Sequence, residues 1–484
     1  MGNRINRRAA LSSVAASLFA ARSFAGELLG RLTQGTRNAT PGLAELAGKI
    51  YFQGDTAYEQ LRAASVWNVR KPDRYPPAIV MAESEADIKA AIRVARARGW
   101  KVGVTSTGHS WVAPYMRNDA LMLSISKMQE ISIDRAGMTA TVSPSVQGQV
   151  FCKALREQGL MFPTGHCYGV GLGGYILAGG HGWSSRLWGP ACANLVAVDV
   201  ITASGKVVRA DKDHNADFYW AARGAGPGYF GVASRFHLRV FPLPTVMKSS
   251  QLIFPVEALE ELFGWVRRNM NAFPKILEVL VIGKNVDNVP RLRISAIALG
   301  YSEAEVDAAL AIVENAPFAD KAVQKTLRRS VVLPAETENP FALERHGYRI
   351  AVDGMWTNAS AEELMPHLRE LFTQFPTPDS YAMWQCWGPV QKLDDMAYSI
   401  QGDVYLSTGA VYADAVDDER CENSVTGTMK KLEHLGVGSM MNDEDMVHRR
   451  GRYLSPEAAR RLEAMRQRHD PGALFASFLE FGGQ

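Results

Sequence analysis

The sequence predicts an α+β protein built as two domains. Three observations lead there. The chain has 484 residues, more than one ordinary hydrophobic core organises. From Ala78 it opens as a β-α-β unit and runs on through short strands rich in alternating apolar residues. Past Phe241-Pro242-Leu243-Pro244 the texture changes to longer helices alternating with strands, which marks a boundary.

The first strand of the opening unit starts at Ala78. Ser84 is a natural N-cap with Asp87 three residues on, Ile88, Ala91, Ile92 and Ala95 recur at helical spacing, and Gly99 ends the helix. Val102 to Val104 leads into the loop Thr105-Ser106-Thr107-Gly108-His109-Ser110. Short strands around Leu121 to Ile125 and Thr139 to Val142 read as hairpin material. A second helix, about Val146 to Gln158, stops at Gly159. Strands from Leu195 to Thr202 and Val207 to Arg209 flank a Ser204-Gly205 turn, and Phe236, Leu238 and Val240 alternate within Phe230 to Val240. In the second domain capping boxes fall at Ser302/Glu305 and Ser360/Glu363. Its strands are aromatic, notably Tyr381 to Trp387 and Tyr398 to Tyr412. A last helix, Pro456 to Arg468, followed by Asp470-Pro471-Gly472, is expected to return to the first domain.

Composition is that of a soluble globular protein, with 47% hydrophobic and 21% charged residues. A net charge of +3, without any concentrated basic run, argues against a nucleic-acid partner. Five cysteines, an odd number without metal-type spacing, argue against a disulfide framework or a zinc site. Arg7-Arg8, the modestly apolar Ala9 to Ala21 and the small-x-small pattern Ser23-Phe24-Ala25 read as an export signal of the twin-arginine kind over residues 1–25. No later run is apolar and long enough to span a bilayer. The expected location is therefore periplasmic or secreted, or cytoplasmic if residues 1–25 are only a basic N-terminus.

The least ordinary stretch is Pro163-Thr164-Gly165-His166-Cys167-Tyr168-Gly169-Val170-Gly171-Leu172-Gly173-Gly174, continuing to Gly179-Gly180-His181-Gly182. Such glycine density lets backbone approach something flat or anionic. Gly169, Gly171 and Gly174 satisfy G-x-G-x-x-G taken literally. The context argues against a Rossmann site, because that fingerprint follows a buried strand, and here Pro163, Gly165 and a polar His-Cys pair precede it.

Gly108-His109-Ser110, the Gly165 to Gly174 stretch, Asp217-Phe218-Tyr219-Trp220-Ala221-Ala222-Arg223-Gly224-Ala225-Gly226 and Phe230-Gly231-Val232, in this order, resemble the berberine-bridge-enzyme-like oxidases of the vanillyl-alcohol-oxidase superfamily. The resemblance covers Tyr58 to about Pro244, including Val66-Trp67-Asn68 and Pro76. It implies a two-domain PCMH-type fold in which the first domain (40–245) binds FAD, a cap (246–441) covers the ring with an antiparallel sheet and helices, and residues 442–484 return to the first domain. By the same resemblance His109 forms the 8α-histidyl bond to the flavin and Cys167 the 6-cysteinyl bond. A ring nitrogen or thiolate adding to an electron-poor isoalloxazine is sound chemistry. Taken singly, each residue also reads as a loop histidine or a buried thiol. The resemblance further places Thr105, Ser106, Thr107, Gly108, Ser110, Gly169, Val170, Gly171, Gly173, Gly174, Gly182 and Val232 at the cofactor. Thr105 stands where relatives often carry Arg, and Ala193 where they often carry Asp. Val170 matches the position that governs oxygen access, and valine there is typical of oxidases.

Oxidising an alcohol or amine requires a base over the ring as hydride leaves for the flavin. Relatives often use a Glu on a cap strand, whereas Gln385 stands nearest that place here and cannot serve as the base. The relatives' C-terminal tyrosine motif survives as Arg461-Leu462, Asp470-Pro471 and Phe475, with Tyr453 near the tyrosine position as a candidate base or substrate anchor. Trp111 falls where relatives place an active-site aromatic. Tyr381, Trp384, Trp387, Tyr398 and Tyr405 fit either sheet packing or a cleft for a planar phenolic or sugar ring. The expected activity is an oxidase acting on an alcohol-type group of a bulky aromatic or carbohydrate substrate, small molecule or oligosaccharide, with molecular oxygen as acceptor. The alternatives are a dehydrogenase using another acceptor and a flavin-carrying protein without turnover.

Overall fold

The computed structural model describes residues 40–167, 169–333, 347–441, 444 and 446–477. The expected export segment lies outside them, as do Tyr168 and parts of the C-terminal return. Strand β1 (Ile50–Phe52), helix α1 (Tyr58–Ala64), β2 (Ala78–Met81), helix α2 (Glu85–Arg98), β3 (Lys101–Thr105) and β4 (Ala120–Ser124) open the chain. The strands form a sheet in the order β1-β2-β4-β3. Helix α2 begins where the Ser84 side chain accepts the Asp87 N–H and ends at Gly99, whose φ of 67° is the left-handed cap that favours glycine.

The segment Leu121 to Ile125, expected as hairpin material, instead forms β4 at the centre of this sheet, parallel to both β2 and β3. The reason is legible in the residues. Ala120-Leu121-Met122-Leu123-Ser124 is buried at every position, the mark of a strand covered on both faces. Thr139 to Val142 does enter a hairpin. As β6 (Thr139–Val142) it pairs antiparallel with β5 (Ile131–Asp134).

The chain continues through α3 (Gly148–Glu157), β7 (Leu160–Met161), α4 (Leu172–Leu177), β8 (Leu195–Thr202), β9 (Val207–Ala210), α5 (Ala216–Ala222) and β10 (Gly231–Arg239). Strands β5, β6, β10, β8 and β9 form a second, antiparallel sheet in that order. The segment Phe241-Pro242 is β11 (Phe241–Pro242), bound back onto β7. It is therefore a stitch into the first unit as well as its exit.

Beyond it lies one eight-stranded sheet, comprising β12 (Val246–Pro255), β13 (Leu277–Val286), β14 (Val289–Gly300), β15 (Gln324–Ser330), β16 (Arg349–Thr357), β17 (Tyr381–Cys386), β18 (Val404–Tyr412) and β19 (Gly436–Gly438). Every ladder in it is antiparallel. Helices α6 (Leu259–Asn269), α7 (Glu303–Glu314), α8 (Ala361–Thr373) and α9 (Asp418–Leu432) cover one face. Ser360 and Glu363 form the expected capping box. Ser302 caps α7 through the Glu305 N–H, while the Glu305 carboxylate is reached 3.5 Å away by the Tyr301 N–H. The other sheet face offers Ile282, Ile297, Leu299, Ile350, Tyr381 and Val411 to Met161 and Trp183 of the first unit.

The aromatic stripe divides between environments. Trp384 lies in the helix-covered core and Tyr381 on the opposite face. Tyr398, expected within a strand, sits ahead of β18 and packs in the core of the first unit. The last helix, α10 (Pro456–His469), lies against that unit. The Arg466 guanidinium donates to the Gly228 carbonyl at 2.9 Å and the Phe475 carbonyl at 2.8 Å, and Phe475 bridges to Val102. No helix among the described residues is long and apolar enough to cross a membrane.

Candidate active site

Between the two sheets of the first unit runs an open cleft. One wall is the end of β3 with Thr105, Ser106, Thr107, Gly108, His109 and Ser110; facing it are Val170, Gly171, Gly173 and Gly174. Gly231 and Ala233 of β10, Met440-Met441 and Phe475 to Ser477 complete the walls. The two loops are fastened to each other, since the Gly171 N–H donates to Thr107 Oγ1 at 2.9 Å. A Cβ at Gly171 would lie 2.7 Å from Thr107 Cγ2 and 2.8 Å from Thr107 Oγ1. Gly171→Ala is therefore expected to part the loops and lower cofactor loading, read as a reduced ratio of flavin to protein absorbance in the purified protein.

His109 and the Cys167 segment meet at this wall. A Cβ on Gly169 would stand 2.6 Å from His109 Nε2, so the imidazole lies directly on Gly169, two residues past Cys167. The ring is held from behind by Trp67, stacked at 5.5 Å and 16°, whose indole N–H donates to the His109 carbonyl at 3.1 Å. Trp111 meets Trp67 edge-on at 5.0 Å within the apolar contact between the two units. Cys167 is half-buried, whereas Cys152, Cys192, Cys386 and Cys421 are buried. Burial pushes the thiols of Cys192 and Cys386 up to about 12, which keeps them unreactive thiols.

The cleft fits a large polar cofactor. The buried Tyr229 hydroxyl and the buried His181 Nδ1 on its wall have no hydrogen-bond partner among the described residues, which a ligand with donors and acceptors would supply. His181 Nε2 is bonded to the Tyr398 hydroxyl at 2.7 Å, and burial pushes the His181 imidazole down to about 3. The ring is thus neutral at ordinary pH. Glycine backbone lining the cleft allows close approach by phosphate oxygens or a flat ring.

Other residues read from the sequence stand elsewhere. Gly182 is packed under Thr164, where a Cβ would lie 2.0 Å from the Thr164 carbonyl oxygen, and its neighbours Gly180 and His181 face the cleft. The Val232 side chain points into the core behind β10, because Gly231 and Ala233 take the cleft face. Tyr453 packs in the core with Met441 and Leu454, and burial pushes its phenol up to about 12. It is not on the cleft wall, so the role of base is withdrawn. Gln385 lines a second, smaller cavity with His166, Trp183, Glu278, Ser295 and Trp387, and its Oε1 accepts the Trp387 indole N–H at 3.1 Å. Glu278 was not singled out from the sequence, although a lone carboxylate in Leu277-Glu278-Val279-Leu280-Val281 was a readable signal. His181, Tyr229 and Met440-Met441 carried none.

A glycine-walled cleft with room for a large polar cofactor defines a cofactor-binding protein, and comparison with known proteins narrows the class. Residues 76–211 match the family model described as "FAD binding domain". The FAD-linked oxidoreductase nodO of Hypoxylon pulicicidum is 32% identical over 86% of this chain and 93% of its own length. The carbohydrate oxidase of Microdochium nivale is 31% identical over 48% of this chain and 49% of its own. Among solved structures, 6-hydroxy-D-nicotine oxidase from Arthrobacter nicotinovorans superposes with a TM-score of 0.76 at 21% identity, covering 88% of this chain and 96% of that one. The chain belongs to the FAD-linked oxidoreductases, and it shares the fold of a berberine-bridge-enzyme-like protein of Physcomitrella patens, with a TM-score of 0.77 at 19% identity.

Proposed function

We propose that the protein is an oxidase that takes a hydride from an alcohol-type group of a bulky aromatic or carbohydrate substrate onto FAD tied to both His109 and Cys167, with molecular oxygen as the final acceptor. The observation that carries this reading is the His109 imidazole lying on Gly169, with Cys167 two residues away, at the wall of the cofactor cleft. FAD held there supplies a two-electron acceptor for the hydride. The chain's own residues do the rest. Ser106, Thr107 and the backbone of Gly171 to Gly174 would hold its polar parts, and Trp67 fixes the plane of His109. Oxidases of carbohydrate and of hydroxynicotine among the relatives support a ring-bearing substrate.

Val170 lines the cleft next to Gly171. A bulkier neighbour there should close the approach of oxygen. Val170→Ile is expected to slow reoxidation of reduced flavin by about tenfold, ~1.4 kcal/mol of added barrier, while leaving anaerobic reduction by substrate unchanged. Stopped-flow mixing of the reduced protein with air-saturated buffer checks it, and slow reoxidation already in the wild type would favour a dehydrogenase. Arg7-Arg8 and the Ala9 to Ala21 stretch support export of the loaded protein, which N-terminal sequencing of the mature chain tests. A panel of alcohols, amines, phenols and sugars, scored by anaerobic bleaching of the flavin, tests the activity itself. A flavin that none of them reduces would reject it.

A further inference from the structure

We infer that the small cavity beside Trp183 is a binding site for one water molecule, which accepts the Trp183 indole N–H, bonds to Ser295 Oγ and the Glu278 carboxyl, and so joins the cap sheet to the first unit. The inference stands apart from the flavin reading, since none of these three residues lines the cofactor cleft.

Strand β13 alternates, sending Leu277, Val279 and Val281 into the helix-covered core and leaving Glu278 and Leu280 on the opposite face. In its register with β14, Glu278 stands opposite Ile297 and Leu280 opposite Ser295, so the carboxyl and the hydroxyl share one patch of sheet. The first unit meets this patch with the turn Trp183-Ser184. There the Glu278 carboxyl accepts the Ser184 N–H at 2.5 Å. Two residues on, Arg186 donates to the cap carbonyls of Phe273 at 3.2 Å and Gly388 at 2.8 Å. The joint is therefore built of hydrogen bonds, around a space that Trp183, Ser295 and Glu278 all line.

Two of the groups facing that space lack a partner. Ser295 Oγ and Trp183 Nε1 are buried, 1% and 5% exposed as residues, and neither has a hydrogen-bond partner among the described residues. Buried polar atoms are rarely left so, and an ordered water is the usual partner where protein atoms do not reach. The space leaves about 20 Å³ for the centre of a water-sized molecule, enough for one water and too little for an organic ring.

Donors and acceptors fix the identity of the occupant. Trp183 Nε1 is a donor only, so the occupant must accept, which excludes ammonium and metal cations. An anion would face the Glu278 carboxyl with no Lys or Arg among the lining residues. A water accepts from Trp183, while Ser295, whose hydroxyl works either way, and Glu278 take two further bonds. Three is the usual number for a buried water. Burial pushes the Glu278 carboxyl up to about 8, against the pull of the Ser184 N–H and the Arg186 charge. As an acid it donates to the water and as a carboxylate it accepts, so both forms keep the site. Gln385 on the same wall is already engaged, its Oε1 by the Trp387 indole N–H at 3.1 Å. His166, the residue before Cys167, meets the Trp183 ring edge-on at 4.4 Å, so the water steadies the turn on which that segment rests.

The test is a crystal structure of the flavin-loaded protein at a resolution that shows ordered water. One peak within about 2.6–3.2 Å of Trp183 Nε1, Ser295 Oγ and a Glu278 oxygen is expected. An empty space, or a Trp183 N–H bonded directly to protein, would overturn the inference. Thermal midpoints supply a second check that needs no crystal. Ser295→Ala and Trp183→Phe should each lower the midpoint by about 1–3 °C. The double variant should fall short of their sum by about 1 °C or more, because both side chains lose the same water. Shifts that add in full would overturn the bridge. Should Trp183→Phe not fold, the crystal structure decides alone.

Discussion

Replacing His109 and Cys167 together by alanine is expected to yield a protein that binds FAD reversibly and turns over about 10²-fold more slowly, or worse. Either single replacement should leave one covalent bond, so the denatured chain stays yellow in each single variant and turns colourless only in the double one. The magnitude follows from positioning. A reacting centre misplaced by about 1 Å costs roughly 10²-fold in rate, and His109, held against Gly169 and Trp67, is one of the two groups proposed to fix the flavin. Because Trp67 and the Gly171 N–H to Thr107 contact remain in these variants, the fold should survive. A thermal midpoint close to that of the wild type, measured on flavin-free samples of both, checks that the lost rate is not lost structure.

The largest loss of stability is expected at a buried ion cluster far from the flavin chemistry. Asp353 on β16 receives Arg449 through two hydrogen bonds of 2.6 Å, with the two side chains 0% and 4% exposed. Arg449 also lies 3.4 Å from the Glu444 carboxylate. Burial, and next the Asp353 charge, push Glu444 well above the usual carboxylate range, so the cluster holds one positive and one negative charge with a neutral acid beside them. Asp353→Asn removes both short bonds and leaves the buried guanidinium only the longer contacts to Glu444 and Glu433, at a cost of at most about 3–5 kcal/mol, which lowers the thermal midpoint by on the order of 10 °C. Glu444 accepts the Met440 N–H, and Met440 and Met441 wall the cofactor cleft. The same variant should therefore retain less FAD, seen as a lower flavin-to-protein absorbance ratio. A midpoint unchanged within a degree or two would show that the pair is dispensable.

The fold was legible where one residue pattern decides one element. Ser84 with Asp87 and Gly99 bounded α2, and the alternation of Phe236, Leu238 and Val240 announced β10. It was not legible where the partner is remote. Nothing local to Leu121-Met122-Leu123 says that its neighbours are Ile79 and Val102 rather than the next strand along the chain, because parallel pairing is set by the crossover and not by a turn. Tyr398 reads as one more aromatic of a β-strand, yet its hydroxyl belongs to His181, 217 residues earlier.

The candidate site divides the same way. The loop from Thr105 to Ser110 and the glycines of the cleft wall were readable because close approach of backbone restricts residue type so strongly. Tyr453 misled because a tyrosine near the place of the relatives' C-terminal motif says nothing of which way it faces, and here it faces the core. Glu278 escaped because its environment is assembled from Ser184, Ser295 and Trp387, which lie in three separate parts of the chain.

The most direct measurement is the intact mass and visible spectrum of the acid-denatured protein. A chain heavier by one FAD, yellow after precipitation and releasing no flavin to the supernatant, is the result predicted by the proposed tethers at His109 and Cys167. A chain of unmodified mass, with all of the flavin in the supernatant, would contradict it.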